Sequence, residues 1–486
     1  MKRSLYLGAS RPIDGRPLVG PMLLPAHHLV THGVVVGMTG SGKTGLVTVL
    51  VEEALRASIP VLVIDVKGDL PNLMLAFPSF DPAALAPWVE ASPNDHEDLQ
   101  QAAQRLAAER ERGLGAFSIG MPELTQYAAS THVRVITPGA DAGELLHVLS
   151  SLERRSARWD TDVDGARAAL SAAISLILRL LGRDDDPARS REHVLLSVIA
   201  EHRLKAGLTA EIGALLPEVV EPPFETIGAL DVDEFMSKRA RKELAAALNA
   251  LLASPSFASW RQGATLDVGE WLKPVEGKTP ATVLSVAHLD DEERALVLGV
   301  VLEEVLTWVR GLPGSQQLRA LIVFDETYGF LPPHPASPPT KRPLVALMKQ
   351  ARAYGVGVVI ATQNPMDLDY RALSNAGLWC LGRLQTDADR ERVIEGLTNQ
   401  AAQGQGADEL GDRLKQLGPR WFIVRNAHDK NGPALLQPRW AMSFMRGPMT
   451  RLEIRRARVG AEPNGVGKLR QPESGSESGG SSSPAS

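Results

Sequence analysis

The chain is poor in cysteine, the residue on which disulfide scaffolds and thiolate metal sites depend. Cys380 is the single cysteine among 486 residues, and it lies within an apolar run. One thiol excludes an internal disulfide and a cysteine-based metal site, and it favours a reducing compartment. The apolar surroundings are typical of a packed core cysteine.

Long hydrophobic runs are also lacking. The most apolar predicted helix, Ala166–Leu181, is too short to span a bilayer comfortably and carries Arg167 and Arg179. Met1–Arg3 is basic, but no continuous apolar segment follows it, so the sequence shows no secretory leader. We therefore predict a cytoplasmic protein with no membrane partner.

An excess of basic charge is the third absence. The formal net charge is −5, from 52 Lys and Arg against 57 Asp and Glu. No global positive field exists to attract nucleic acid, so any such binding must be confined to a loop or a pore. The length allows two or more domains, and a hydrophobic content of 44% is typical of a globular protein.

One glycine-rich stretch stands out from this ordinary composition. Gly37 to Thr44 matches G-x-x-x-x-G-K-[ST], the pattern of a phosphate-binding P-loop. An apolar strand precedes it and a predicted helix, Gly45–Ala57, follows it, which is the context that the motif requires and that a chance glycine turn lacks. The residues predicted to bind the nucleotide ATP are Gly37, Thr39, Gly40, Ser41, Gly42, Lys43, Thr44 and Gly45.

Each part of this loop has a chemical task. Gly40 and Gly42 let the backbone curl so that successive N–H groups point at a phosphate chain. The helix N-terminus directs its positive end to the same place. Lys43 supplies a mobile positive charge for the β- and γ-phosphates, and Thr44 supplies a hydroxyl ligand for Mg²⁺.

A second motif is an apolar run that ends in two carboxylates, Asp325 and Glu326. By itself this pattern is equally typical of an ordinary strand end. After a P-loop, it indicates the acidic pair of an ATPase. Asp325 is predicted to hold Mg²⁺ beside Thr44, through water, and Glu326 to orient and deprotonate the attacking water.

Three further polar residues are candidates for catalysis. Gln363 follows the apolar run that ends at Thr362, and an amide at this position can contact the γ-phosphate or the attacking water. The alternative interpretation of Gln363 is an ordinary polar strand end before a proline turn. Arg352 precedes this run, and Arg383 lies near the end of the next one. Either arginine could stabilise transition-state charge across a subunit boundary, or be a surface ion-pair residue.

Apolar, β-branched runs alternate with helical patterns, which indicates an α/β protein with a mostly parallel sheet. The predicted strands are Ser4–Leu7, the run before the P-loop, Ile59–Asp65, Val133–Thr137, Thr282–Val286, Arg319–Phe324, Val356–Ala361, Leu378–Leu384 and Trp421–Arg425. The polar stretch from Asp65 to Asp69 follows one of them, at the strand end where open α/β sheets bind ligands.

Composition divides the chain further. Helical periodicity without strand signals predicts an insertion at 140–255, more consistent with a solvated helical cap than with a substrate-reading domain. Serine and glycine dominate the last residues, where aromatic residues are absent. The predicted segments are 1–139 and 256–434 for the two parts of the ATPase core, 140–255 for the insertion, 435–460 for a basic arm with the helix Arg451–Arg458, and 461–486 for a disordered tail.

Together these residues resemble the HerA/FtsK superfamily of RecA-like P-loop ATPases, over roughly residues 15–430. The matching blocks are Gly33–Thr44, Pro60–Leu70, Phe324–Phe330, Leu347–Pro365 and Ser374–Asp389. The resemblance implies a RecA-like P-loop NTPase core, with a mostly parallel sheet and a helical insertion. It also implies a homo-hexameric ring that hydrolyses ATP between subunits and moves double-stranded DNA through a central pore.

On this resemblance, Lys43, Thr44, Asp325, Glu326 and Gln363 fall on nucleotide-site positions, and Arg352 falls where FtsK-like motors carry a trans arginine, with Arg383 as second choice. The N-terminal barrel of archaeal HerA has no counterpart, which puts in doubt a partner that docks there, such as a NurA-type nuclease. Whether a nuclease or another protein is a partner stays open. Two other functions remain open: a nucleotide-gated assembly scaffold, and a motor that acts on a protein. Glu326 favours turnover over a scaffold.

Overall fold

A computed structural model describes residues 3–13, 20–89, 98–184, 186–373, 375–398, 407–429 and 432–461. Apart from Ala461, the predicted disordered tail lies outside these residues. None of the helices in the described part of the chain is long and apolar enough to cross a membrane.

The described residues contain fifteen strands. In chain order they are β1 (Ser4–Pro12), β2 (Gly20–Pro25), β3 (Gly33–Val36), β4 (Val61–Asp65), β5 (Thr131–Ile136), β6 (Leu146–His147), β7 (Thr226–Ile227), β8 (Leu230–Asp231), β9 (Ala264–Thr265), β10 (Thr279–Ser285), β11 (Ser315–Asp325), β12 (Tyr354–Thr362), β13 (Leu378–Leu381), β14 (Phe422–Asn426) and β15 (Ala434–Pro438). Every strand predicted from the sequence overlaps one of these.

The same residues contain nineteen α-helices, several of them only one turn long. They are α1 (Lys43–Arg56), α2 (Pro82–Leu85), α3 (Leu99–Gly115), α4 (Met121–Ser130), α5 (Ser150–Glu153), α6 (Arg158–Thr161), α7 (Val163–Leu180), α8 (Arg191–Lys205), α9 (Ile212–Val220), α10 (Val232–Phe235), α11 (Lys238–Ala253), α12 (Pro255–Ala258), α13 (Val268–Trp271), α14 (Asp291–Arg310), α15 (Lys341–Gln350), α16 (Tyr370–Leu373), α17 (Asp387–Thr398), α18 (Ala407–Gln416) and α19 (Arg451–Ala461).

One eleven-stranded sheet organises the chain, in the order β2-β1-β15-β14-β13-β3-β12-β11-β4-β10-β5. The strands from β13 to β5 run parallel. The other four join antiparallel at one side. This arrangement confirms the predicted α/β class and mostly parallel sheet.

Helices cover both faces of this sheet, which explains why its central strands are uninterrupted apolar runs. All residues of β3 and β4 are buried. Alternate side chains face opposite layers, so that Val34 and Val36 join one core cluster and Val35 the other. On the face to which Val34 and Val36 point, the sheet packs against α7, α8, α9, α14 and α15. On the opposite face, to which Val35 points, it packs against α1, α3, α4 and α19.

Three predicted boundaries need correction. The sequence also predicts one helix at Arg342–Tyr354, which is too long, because α15 ends at Gln350, a 3₁₀ turn follows, and Tyr354 begins β12. The predicted strand Leu378–Leu384 ends earlier, at Leu381. The predicted basic arm at 435–460 begins inside β15, which pairs with both β1 and β14 and is therefore part of the sheet.

The segment predicted as a helical insertion contains α5 to α11 and packs on one face of the sheet. Leu170, Ile174 and Ile177 of α7 are buried in the core cluster that α14 also joins. The predicted boundary at 255 falls in α12, while β9, further along the chain, pairs with β6 of the insertion. The same packed layer therefore continues past that boundary.

A fully buried ion-pair network fastens the C-terminal segment to α1. The Arg439 guanidinium has no solvent exposure and lies 2.8 Å from Glu52 Oε2 and 2.9 Å from Glu53 Oε1. Glu52 also accepts hydrogen bonds from the backbone N–H groups of Met442 and Ser443. Because all three side chains are removed from water, the loss of Arg439 would leave buried negative charge without its main counter-charge.

We expect Arg439→Ala to lower the free energy of unfolding by about 3–5 kcal/mol, because it leaves the buried Glu52 carboxylate without its cation and Glu53 with Arg56 alone. Urea denaturation of the variant and the wild type measures this difference. Arg105→Ala is the matched control, since the Arg105–Glu109 pair is exposed to solvent and its loss should leave the unfolding midpoint nearly unchanged. Equal midpoints for the wild type and both variants would contradict the expectation.

Candidate functional site

The loop between β3 and α1 is shaped by two glycines in the left-handed region. Gly40 has φ 77° and Gly42 has φ 91°, and α1 begins directly afterwards at Lys43. A Cβ atom added at Gly40 would meet nothing within 4 Å, whereas one at Gly42 would lie 3.0 Å from Arg420 Cγ. The loop is thus open on the side of Gly40 and closely packed at Gly42.

The order of the strands brings the predicted motifs together. The P-loop strand β3 pairs with β12, which carries Gln363 just past its end, and β12 pairs with β11, which ends in the acidic pair. These strands are parallel, so all three motifs lie at the same carboxyl edge. Lys43 and Glu326, 283 residues apart in sequence, are 3.2 Å apart between Nζ and Oε2.

Lys43 lies between the two carboxylates of the acidic pair. Its Nζ is 3.2 Å from Glu326 Oε2 and 3.6 Å from Asp325 Oδ1, and its side chain is only 4% exposed. The long aliphatic stem is buried while the ammonium group faces the site. The geometry therefore combines one buried cation with two carboxylates at the mouth of the P-loop.

Glu326 adopts a backbone conformation that is rare for residues with a side chain. Its φ is 65°, and strain of this kind is concentrated at functional sites. Its Oε1 accepts hydrogen bonds from the Gln363 backbone N–H at 3.2 Å and from the Thr362 hydroxyl at 3.3 Å. The Gln363 side chain accepts a hydrogen bond from the Thr39 hydroxyl at 3.0 Å. Hydrogen bonds thus connect Glu326, Gln363 and the P-loop directly.

The two carboxylates have opposite electrostatic environments. Burial raises the pKa of Asp325, and the nearby cation Lys43 only partly opposes this. Burial also acts to raise the pKa of Glu326, but Lys43 and Lys67 together outweigh it and lower that pKa. Glu326 is accordingly held in its ionised form, in which it can accept a proton.

The acidic edge contains oxygen atoms suited to a hard divalent cation. Both carboxylate oxygens of Asp325 are buried and lack a hydrogen-bond donor among the described residues. Thr44 follows Lys43 in the first turn of α1. An unsatisfied buried carboxylate and a hydroxyl, next to a phosphate loop, form the donor set that Mg²⁺ prefers. These residues fit the predicted metal.

The turn after β4 adds residues to which the sequence assigned no role. Asp65 is fully buried opposite Asp325 in the sheet, and burial raises its pKa to about 7. Its oxygens accept hydrogen bonds from the Gly68 N–H at 3.0 Å and the Ser285 hydroxyl at 2.8 Å. Lys67 Nζ lies 2.7 Å from Glu326 Oε2. The position of Asp65 and Lys67 at the end of a parallel strand was the one sequence signal that could have placed them at this site.

The two candidate arginines lie on different sides of the molecule. Arg352 is in the turn before β12, at the amino edge of the sheet. The nine residues of β12 separate it from the site of its own chain, a distance of about 30 Å at ~3.3 Å per residue. Among the described residues it forms no ion pair. Arg383 lies beside the P-loop of its own chain, where its carbonyl accepts the Met38 N–H at 2.9 Å.

A cavity of about 370 Å³ opens beside the P-loop, and sequence reasoning missed it. Gly42, Gly45 and Leu46 line it from α1, and Arg420 and Trp440 line it from the C-terminal part. The Arg420 backbone N–H donates to Ser41 O at 2.9 Å, and its guanidinium lies 5.1 Å from the centre of the Trp440 ring. No local motif marks these residues.

The predicted basic helix is occupied by contacts within the chain. In α19, Arg455 lies 2.5 Å from Asp141, and Arg458 donates to the Gly143 carbonyl at 2.9 Å. The Arg456 guanidinium lies 4.1 Å from the centre of the Trp88 ring. These three arginines therefore hold α19 against the rest of the described chain.

Comparison with known proteins relates this site to a family. Residues 21–114, which contain the P-loop and the turn after β4, match the family model for the central domain of helicase HerA. No curated protein matches the chain.

Several solved structures are similar to this chain at low sequence identity. VirB4 of Thermoanaerobacter pseudethanolicus is 14% identical, covers 90% of this chain and 96% of its own, and has a TM-score of 0.50. The plasmid coupling protein TrwB in complex with ADP and Mg²⁺ is 14% identical, with coverage of 88% and 89% and a TM-score of 0.49. The genome packaging NTPase B204 of Sulfolobus turreted icosahedral virus 2 is 13% identical, with coverage of 33% and 69% and a TM-score of 0.24.

The similarity to VirB4 confirms the predicted RecA-like P-loop NTPase fold. The match to the HerA central domain, over the stretch that builds the phosphate loop, confirms the resemblance on which the sequence analysis relied. The chain therefore has the fold of a RecA-like P-loop NTPase, and its residues 21–114 are similar to the central domain of helicase HerA.

Proposed function

We propose that this chain is a Mg²⁺-dependent ATPase that works in a homo-hexameric ring and moves along double-stranded DNA. The observation that carries the proposal is the convergence of Lys43, Asp325, Glu326 and Gln363 at the carboxyl edge of three adjacent parallel strands. A phosphate loop, a metal-binding carboxylate and an ionised base are the parts that hydrolysis of a phosphoanhydride requires.

Each residue has a proposed task. The P-loop backbone from Gly37 to Gly45 cradles the phosphates, and Lys43 binds the β- and γ-phosphate oxygens. Asp325 and Thr44 hold Mg²⁺, which neutralises phosphate charge when it is bound. Glu326 accepts a proton from the attacking water, and Gln363, which lies beside it, orients that water or the γ-phosphate.

The cavity beside the P-loop is the proposed position of the base and ribose. Its volume of about 370 Å³ accommodates a nucleoside, and it opens directly at Gly42 and Gly45. The Trp440 ring and the Arg420 guanidinium offer flat surfaces for stacking.

The ring is proposed from the position of Arg352. A cation at the amino edge cannot reach the phosphates of its own chain, but it can reach those of a neighbour whose carboxyl edge faces it. Arg352 forms no ion pair among the described residues, which leaves its guanidinium available for such a contact. Arg383, beside the P-loop, is the second candidate.

The test is ATP hydrolysis by the purified protein with and without double-stranded DNA, with Lys43→Ala as the inactive control. We expect DNA to raise kcat several-fold, and the stimulation to fall steeply as salt rises, because phosphate contacts release counterions. Hydrolysis that is indifferent to DNA would instead favour a motor acting on a protein partner. ATP binding without hydrolysis would favour a nucleotide-gated scaffold.

A further inference from the structure

The predicted base contacts a second lysine, to which the sequence analysis assigned no role. Lys67 Nζ lies 2.7 Å from Glu326 Oε2, closer than Lys43 Nζ, which is 3.2 Å from the same oxygen. Lys67 is about one third exposed, while Glu326 is almost fully buried. One carboxylate oxygen therefore receives two ammonium groups, one from the P-loop helix and one from the turn after β4.

Lys67 is presented by a turn that is anchored on several sides. Gly68 has φ 87°, and its N–H is fixed by the buried Asp65, which Ser285 also holds. The Gly68 carbonyl accepts the Met449 N–H at 2.9 Å. A lysine on a mobile surface loop would contact a carboxylate only part of the time. The backbone that carries Lys67 is instead fixed by contacts with the core, so its ammonium group is held close to Glu326.

Glu326 needs such a partner. Its φ of 65° is strained, and its Oε1 is already bound by the Gln363 N–H and the Thr362 hydroxyl. In the proposed function Lys43 binds the phosphates, so it cannot remain fully committed to Oε2. Lys67 is then the cation that keeps this oxygen in place.

We propose that Lys67 is a positioning residue for the base: through its ion pair with Oε2, it holds the Glu326 carboxylate in the orientation that accepts the proton of the attacking water. This inference rests on the proposed ATPase function. It assigns Lys67 an effect on the chemical step and none on the affinity for nucleotide.

The test is a comparison of kcat, KM and ATP dissociation constant for Lys67→Met, Lys67→Gln and Lys67→Arg. We expect the Met and Gln variants to lose about 10- to 100-fold in kcat, below the full loss of a general base, with KM and the dissociation constant within about threefold of the wild type. Lys67→Arg should recover most of the rate, because a guanidinium also donates to a carboxylate. In a Glu326→Gln background, Lys67→Met should cause no further loss.

The matched control is Lys205→Met, which removes the ion pair of Lys205 with Glu201 in the helical insertion. It should leave kcat and KM unchanged. Unfolding midpoints of all variants show whether they are folded, and the Gln and Arg variants carry the test if the Met variant does not fold.

Several outcomes would overturn the inference. A weaker affinity for ATP at unchanged kcat would make Lys67 a nucleotide contact, and a higher kcat would make it a restraint on the base. An unchanged kcat would reduce it to a surface ion pair. Inactivity of the wild-type protein is the separate outcome that overturns the proposed function itself, and with it this inference.

Discussion

Glu326→Gln is expected to lower kcat for ATP hydrolysis by about 10²- to 10⁴-fold, while ATP binding stays within a few-fold of the wild type. An amide has nearly the shape of a carboxylate but cannot accept the proton of the attacking water. Its carbonyl oxygen can still accept the Gln363 N–H, so the local structure should be retained. Steady-state hydrolysis and equilibrium binding of ATP measure the two effects separately.

Lys43→Ala is the control that separates binding from chemistry. The loss of Lys43 removes the charge that we propose contacts the phosphates, so both binding and hydrolysis should fail. A Glu326→Gln variant that hydrolyses ATP at more than a tenth of the wild-type rate would show that another group accepts the proton. The assignment of Glu326 would then be wrong, even with the P-loop intact.

Arg352→Ala is expected to lower kcat by about 10³- to 10⁵-fold, the effect typical of an arginine that acts across a subunit boundary. Arg352 lies at the opposite edge of the sheet from the P-loop of its own chain, so its effect must come from a neighbour's site. ATP binding to isolated chains should be unchanged. Hydrolysis by the assembled variant, at matched protein concentration, measures the loss.

Complementation tests the trans arrangement directly. Arg352→Ala chains are expected to bind ATP but lack the arginine, and Lys43→Ala chains are expected to keep the arginine but fail to bind the phosphates. Differently tagged chains that are co-expressed and co-purified should recover activity at the mixed interfaces. Arg319→Ala, which removes another arginine from the amino half of β11, should remain active. Mixed assemblies as inactive as the separate variants would argue against Arg352 as the trans residue.

The sequence alone predicted much of this site, for a physical reason. A P-loop specifies its own conformation, because its glycines, the strand before it and the helix after it are local in sequence. Asp325, Glu326 and Gln363 could be added because the carboxyl ends of parallel strands share one edge. The ends of strands were predicted less reliably. The predicted strand Leu378–Leu384 included Arg383, but β13 ends at Leu381 and Arg383 lies in the segment beside Met38, a turn that the apolar pattern does not show.

What only the tertiary structure decided is which distant residues meet. The pairing of β4 beside β11 brings Lys67 to Glu326, and the antiparallel strands at the far side of β13 bring Arg420 and Trp440 to the P-loop and Arg439 to Glu52. Local patterns cannot specify these contacts, because the partners lie far apart in sequence and no periodicity connects them. The sequence thus determined the phosphate loop, the acidic pair and the parallel α/β architecture. The packing of strands and layers determined which cations contact Glu326, and on which edge Arg352 lies.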